Sequence, residues 1–382
     1  MREDGFLSLR VKAPLTMGTV AGFYALYFAG VGVILPFLPA YFHALGLTGS
    51  QRGVLLALTP AVELLAPPRF GAWADSLGRL DGPLRTVALG MAVCFLPLLW
   101  VRTFFPLALV MLVFSVFSTS VTPLLDSLAL EEIGRRGKSF ASVRVFGSVG
   151  FVLASAGFGV FAPRSERAVV WTVLALLILL AAFAGTVLKG SPREREARRE
   201  GVPLAGTLGW FLGCTTLHWI ASAPYNGSFA IHVGTLGLPR WVTGAAVAAG
   251  VLAEVGVMVL YQRLFARWSA QRILALSCVG SCVRWVGLAW VHAPLAIIGL
   301  SLLHGLTFGA FYVAAVGFVA ARVPGSLRAS GQSVFTSVTF GLGGLVGYLT
   351  AGVGYELLGG HGLFAAAAAV ELLAAACLFG IR

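Results

Sequence analysis

Glu63, Asp126, Arg144, Glu254, Arg284 and His304 stand in stretches otherwise too apolar to hold a charge. An isolated ion in hydrocarbon is costly, so such side chains pair with one another or face water. Glu254, Arg284 and His304 fall in three consecutive apolar runs at similar depth, roughly 10–20 Å from either end at about 1.5 Å per residue. An acid, a guanidinium and an imidazole at one depth can exchange a proton and an ion-pair partner. Burial favours the neutral carboxyl, and a nearby guanidinium favours the carboxylate. Glu254 is the leading candidate to carry a proton, with Asp126 and Glu63 behind it. Asp126 lies about one turn before the end of its apolar run, and Arg144 about one turn into the next. Antiparallel helices would bring the two to one level, where they pair or line water.

Other reactive types carry less. The five cysteines (Cys94, Cys214, Cys278, Cys282 and Cys377) read as small core residues, with no acid or histidine near Cys278 and Cys282 at metal-ligand spacing. His218, beside Trp219, reads as a hydrogen-bonded structural residue. Glu371 shows no partner in the sequence and reads as a helix-end residue. His43, His292 and His361 fall at helix ends. Tyr24, Tyr27, Phe28, Trp219 and Tyr225 are candidates for the wall of a cavity.

The elements that position these groups follow from composition. Of 382 residues, 58% are hydrophobic and 11% charged, against about a quarter charged in soluble domains. The apolar residues cluster in runs of about 20, the length that crosses a bilayer core, and helices satisfy their own backbone there. Expected spans are 17–42, 50–73, 84–101, 106–130, 139–162, 168–189, 206–234, 241–262, 271–291, 294–320, 328–353 and 361–381. The charged stretch from Lys189 to Pro203 divides them six and six. This predicts an all-α integral membrane protein of twelve transmembrane helices. The expected division is an N-terminal six-helix bundle (1–189), a linker (190–205) and a C-terminal bundle (206–382). Glu63 and Glu254 fall in corresponding elements of the two halves, as a duplicated unit would place them.

Most Lys and Arg residues fall in the tail and in alternate loops, around 79–85, 135–138, 189–199, 263–272 and 322–328. The opposite loops hold Arg52, Arg102, Arg164, Arg167 and Arg240. The positive-inside bias then places both termini and the linker in the cytoplasm, in a cell inner membrane. The net charge of +12 belongs to this bias rather than to nucleic-acid binding. The first apolar run is too long for a cleaved signal peptide and lacks a cleavage site.

After the second span the chain places Gly71, Asp75, Gly78 and Arg79 at Gly-x-x-x-Asp-x-x-Gly-Arg spacing. This resembles the signature loop of the major facilitator superfamily, though its usual further basic residue is Leu80 here. Asp75 and Arg79 are expected to form a charge latch between the halves, biasing an alternating-access cycle. Asp126 late in the fourth span, Arg144 opening the fifth, and Arg328 and Gln332 opening a glycine-rich eleventh are similar to one branch. That branch contains the lactose and phenylpropionate permeases, in which the acid–arginine pair contacts substrate. The resemblance extends to an acid, an arginine and a histidine in spans 8, 9 and 10. It fails at Thr307, where the branch carries an acid, and at Asn226, where it carries another.

The resemblance implies a major facilitator fold of two pseudo-symmetric bundles and a proton symporter of a small organic solute. Substrate-binding residues would be Asp126, Arg144, Tyr27, Trp219 and Asn226. Proton coupling would involve Glu254, Arg284, His304 and Glu63. Expected partners are a small-molecule substrate, protons and membrane lipids, with no cofactor, no metal and a monomeric state. Gly343 and Gly347 are expected to form a packing face within one monomer. A rival reading is a proton-coupled efflux antiporter, against which the fifth span lacks the internal proline of an exporter signature. A membrane-embedded enzyme would need a clustered nucleophile, metal ligands or a cofactor motif, and none stands in the sequence. A non-transporting receptor has no use for matched charges at mid-depth.

Overall fold

The computed structural model describes residues 17–134, 141–163, 165–187, 206–323 and 328–380, with the side chains of residues 17, 75, 130–134, 141–142, 186–187 and 328–330 outside that description. The expected linker, 190–205, also lies outside it.

Among the described residues the chain forms helices of membrane-crossing length and no strand. The first six are α1 (Gly18–Ala44), α2 (Gly49–Ala74), α3 (Asp81–Leu99), α4 (Phe104–Ala129), α5 (Val143–Phe161) and α6 (Ala168–Gly185). They are followed by α7 (Thr207–Thr235), then α8 (Arg240–Phe265), α9 (Ala270–Trp290) and α10 (Pro294–Arg322). The run Gly331–Gly380 is 50 residues long and turns back at Gly359, whose φ of 64° suits a residue without a Cβ. It therefore supplies two crossings, α11 (331–358) and α12 (360–380). α7 is 29 residues long, but His218, Asn226, His232 and its threonines keep it less apolar than its neighbours. Among the described residues twelve helices cross, in two six-helix bundles.

Three departures from regular helix bear on the site. α2 breaks at Leu64–Leu65, just after Glu63 and ahead of Pro67 and Pro68. A proline restricts the residue before it and offers no N–H to the ladder. The apolar run 50–73 by itself predicts one unbroken helix here. α10 and α11 contain π-helical turns at Gly305–Ala310 and Ser337–Leu342, which free backbone carbonyls from their usual donors.

One core draws on α1 to α6, from Val20 to Ala184, and a second on α7, α9, α10, α11 and α12, from Phe211 to Leu378. A third, with Phe151, Phe229, Val242 and Trp285, joins the halves. The halves meet closely along two seams at the end of the molecule that carries loops 45–48 and 236–239. A Cβ at Gly352 of α11 would stand 2.8 Å from the Cα of Gly53 in α2. A Cβ at Gly244 of α8 would stand 2.6 Å from the carbonyl of Ser155 in α5. Only glycine permits such backbone approach. At the first seam Glu356 accepts from the N–H of Ser50 at 2.9 Å and from its hydroxyl. Gly343 and Gly347 pack on α7 against Thr216, Ile220 and Ala223, within the monomer as expected.

Candidate substrate cavity

Behind the seams the bundles enclose a cavity of about 310 Å³. Its wall follows helical spacing. α1 contributes Phe28, Val31 and Leu35; α5 contributes Arg144, Ser148 and Phe151; α7 contributes Trp219, Ser222, Tyr225 and Asn226. Residues three or four apart share a helix face. α8 contributes Val251 and Glu254, α9 Arg284 and Trp285, α10 His304, Thr307 and Phe308, and α11 Tyr348. Apolar walls with a few convergent polar groups are the usual form of a small-molecule site.

The C-terminal half supplies a continuous polar chain. Arg284 Nη1 lies 3.2 Å from His304 Nδ1 and 3.4 Å from Thr307 Oγ1. His304 Nε2 lies 3.5 Å from Glu254 Oε2. The guanidinium sits over the rings of Tyr225 and Trp285, at 4.1 and 4.8 Å, and the residue is 1% exposed. Its Nε and Nη2 have no hydrogen-bond partner among the described residues. A buried guanidinium with two idle donors beside a cavity is suited to an oxyanion.

In the N-terminal half Asp126 and Arg144 do not pair directly, contrary to one expectation. Tyr24 stands between them: its hydroxyl donates to Asp126 in a short hydrogen bond, and the Arg144 guanidinium lies over the Tyr24 and Phe28 rings at 5.6 and 4.2 Å. Arg144 faces the cavity; Asp126 does not line it and holds Tyr24 instead.

Two other expected residues also stand outside the cavity. Tyr27 is buried in the N-terminal core, where its hydroxyl donates to the Ser118 carbonyl at 3.1 Å, tying α1 to α4. Glu63 is exposed at the break in α2. In the signature loop, Gly78 has φ 60°. Arg79 reaches Asp81 within its own loop, Nε to Oδ1 at 2.8 Å and Nη2 to Oδ2 at 2.6 Å. Asp81, a residue 1% exposed, is thus the acid that holds Arg79; the side chain of Asp75, the expected partner, lies outside the described residues. Gly71 lies on the open face of its helix with nothing packed where a Cβ would be.

Glu371, set aside from sequence, is fully buried and hydrogen-bonded to His218 and Trp285. Cys278, buried in the core as expected, lies beside them, next to an acid and a histidine that other helices bring and that spacing along the chain does not show. Ser148, Ser222, Trp285, Phe308 and Tyr348 were also missed. Periodicity was the available signal, since Ser148 follows Arg144 by one turn and Phe308 follows His304 likewise.

Two membrane bundles closing on a central cavity define a transporter of the major facilitator type. The description "MFS_1 like family" matches residues 18–366, and the chain belongs to that family. It is 31% identical over 359 residues to the "Probable 3-phenylpropionic acid transporter" of Escherichia coli (strain K12), covering 91% of this chain and 93% of that one. It is 26% identical to the "Maltose permease" of Geobacillus stearothermophilus, over 84% and 83% of the two chains. The fold matches the crystal structure of nucleoside transporter NupG with a TM-score of 0.82, at 17% identity, over 96% of this chain and 98% of that one. The protein is a multi-pass membrane transporter of small molecules rather than an enzyme.

Proposed function

We propose that the protein is a proton-coupled importer of a small organic acid, with an aromatic carboxylate as the first candidate. The observation that carries this reading is Arg284, whose Nε and Nη2 are unpartnered at the wall of an aromatic-lined cavity. A carboxylate offers two acceptors in the geometry a guanidinium matches. Arg144 and Phe28 on the opposite bundle, with Trp219 and Asn226, would hold the rest of the solute. Asp126 would act through Tyr24, as a positioning residue for Arg144, and Tyr27 as a tie between α1 and α4. The E. coli relative's name agrees with an aromatic acid, and the permease relative keeps sugars as the competing class.

Proton coupling would run through Glu254, His304 and Arg284, which form one chain along the cavity. Glu63, at the break in α2, would respond to the opening of that helix. The loop of Gly71, Asp75, Gly78 and Arg79, with Asp81, would stabilise one state of the cycle. The unit would be a monomer divided into bundles 1–189 and 206–382 by the linker 190–205. With both termini cytoplasmic in the inner membrane, the closed seams face outward and the conformation is inward-facing.

The test is uptake of labelled 3-phenylpropionate, maltose and uridine by proteoliposomes under an inside-alkaline pH gradient. Accumulation of the aromatic acid alone, lost in Arg284→Gln, is the expected result. Accumulation of maltose or uridine with no response to the acid would overturn the substrate assignment. Uptake indifferent to the gradient would overturn proton coupling.

A further inference from the structure

His218 and Glu371 hold each other at the centre of the C-terminal bundle, on α7 and α12, with exposures of 1% and 0%. His218 Nδ1 lies 2.8 Å from Glu371 Oε2, and its Nε2 lies 2.8 Å from the carbonyl of Thr307. That carbonyl is available because of the π turn in α10. The N–H of Phe311, its usual partner, bonds to Leu306 and Phe308 instead. The other carboxylate oxygen, Oε1, accepts from Trp285 Nε1 at 3.2 Å.

The proton count follows from these contacts. A carbonyl can only accept, so Nε2 carries a hydrogen. Nδ1 and Oε2 at 2.8 Å must share another, since two lone pairs would repel. Whether written as imidazolium with carboxylate or as imidazole with carboxylic acid, the pair is neutral with that proton and carries −1 without it. Cys278 Sγ would complete a set of metal donors, all within 4.8 Å. Both imidazole nitrogens are already engaged, which favours a proton over a metal ion here.

We propose that His218 and Glu371 form an occluded proton-binding site, outside the substrate cavity, whose occupancy decides whether Arg284 is free to bind the substrate. The inference rests on the proton-coupled reading above. Each member of the pair is one residue removed from the cavity: Glu371 through Trp285, and His218 through Thr307, whose hydroxyl faces Arg284. The groups around the pair are Cys214 on α7, Cys278 and Cys282 on α9, and His304 on α10. The permanent cation Arg284 stands one contact further out, against the Thr307 hydroxyl and His304. With the proton bound, the pair is neutral and the idle donors of Arg284 are available to a carboxylate. When the proton leaves for cavity water, the carboxylate of Glu371 gains the net charge and competes for the same guanidinium, so the substrate is released. Glu254 and His304, at the cavity wall, are then the route between this site and water.

The decisive variant is the double substitution His218→Gln with Glu371→Gln. It keeps hydrogen-bond donors and acceptors but has no titratable proton, and it avoids the uncompensated charge a single removal leaves. Glu371→Gln alone is run beside it. In proteoliposomes, wild-type protein is expected to accumulate 3-phenylpropionate under an inside-alkaline gradient. The double variant is expected to lose at least tenfold in accumulation while keeping equilibrium exchange, with the pH dependence of exchange flattened. Gradient-driven accumulation at wild-type level in the double variant would overturn the proposal, whatever Glu254→Gln does. Loss of exchange in both variants would mark the pair as a structural tie and overturn it equally. A wild-type protein that never accumulates the acid refutes the proton-coupled reading itself, and that outcome is read from the wild type alone.

Discussion

Arg284 Nη1 lies 3.2 Å from His304 Nδ1, and because arginine can only donate, the imidazole accepts there. His304 is therefore the tautomer with its hydrogen on Nε2, the atom 3.5 Å from Glu254. One guanidinium sets the orientation of the acid–imidazole pair, lines the cavity, and keeps Nε and Nη2 without a partner among the described residues. The substrate anchor and the proton-handling groups thus share a side chain.

Arg284→Lys is expected to weaken binding of 3-phenylpropionate about as much as Arg284→Gln. An ammonium cannot reproduce the planar fork that serves a carboxylate and His304 together. A charge-assisted hydrogen bond contributes about 1.5–3 kcal/mol, so isothermal titration should show a loss of about 10- to 150-fold in either variant. Full rescue by lysine would mean that charge alone matters at this position.

Tyr24→Phe removes the hydroxyl that Asp126 accepts and leaves the ring that Arg144 covers. Asp126 can then attract Arg144 away from the cavity wall. Affinity should fall by about 1 kcal/mol, close to fivefold, and Tyr24→Phe combined with Asp126→Asn should recover part of it. Unchanged affinity in Tyr24→Phe would remove Tyr24 from the positioning role.

Gly352→Val should force apart α2 and α11, because its Cβ alone would stand 2.8 Å from the Gly53 Cα. Transport should fall at least tenfold. A cysteine placed at Ser148, on the cavity wall, should become reactive to an impermeant thiol reagent from the side of loop 45–48. Labelling is done in a background freed of the five native cysteines. Wild-type labelling and turnover in Gly352→Val would show that this seam is not a moving part.

Arg79→Ala and Asp81→Asn are expected to slow turnover by a similar, modest factor of about two to five, with binding unchanged, and the double variant should add little, as for two members of one interaction. The hydrogen bonds and charge of Asp81 hold Arg79 even more firmly protonated than a free guanidinium. Raising the pH within the range the protein survives therefore leaves Arg79 charged. Its contribution to turnover should be flat with pH, as comparison of wild type with Arg79→Ala across that range would establish.

Much of the architecture is legible in the chain itself, because crossing a bilayer imposes a long apolar run on each helix and local hydropathy reports it. The candidate site was legible to the extent that it is made of charges in the wrong solvent. Arg144, Glu254, Arg284 and His304 stand out against apolar neighbours, and all of them reach the cavity. Tyr27 and Trp219 are indistinguishable by type and setting, yet one ties α1 to α4 and the other lines the cavity. Which way an aromatic ring points depends on helix rotation, which local sequence does not encode.

Taken alone, the order of residues determined where the helices run, where the loops carry charge and which ionised groups stand in apolar runs, since each depends on neighbours in the chain and on the solvent they meet. Tertiary structure alone decided who partners whom. It set Tyr24 between Asp126 and Arg144, assigned Asp81 to Arg79, and brought Glu371 to His218 across 153 positions of sequence. Such pairings depend on the rotation and depth of separately inserted helices and on π turns that release single carbonyls, and these are settled only when the bundles pack.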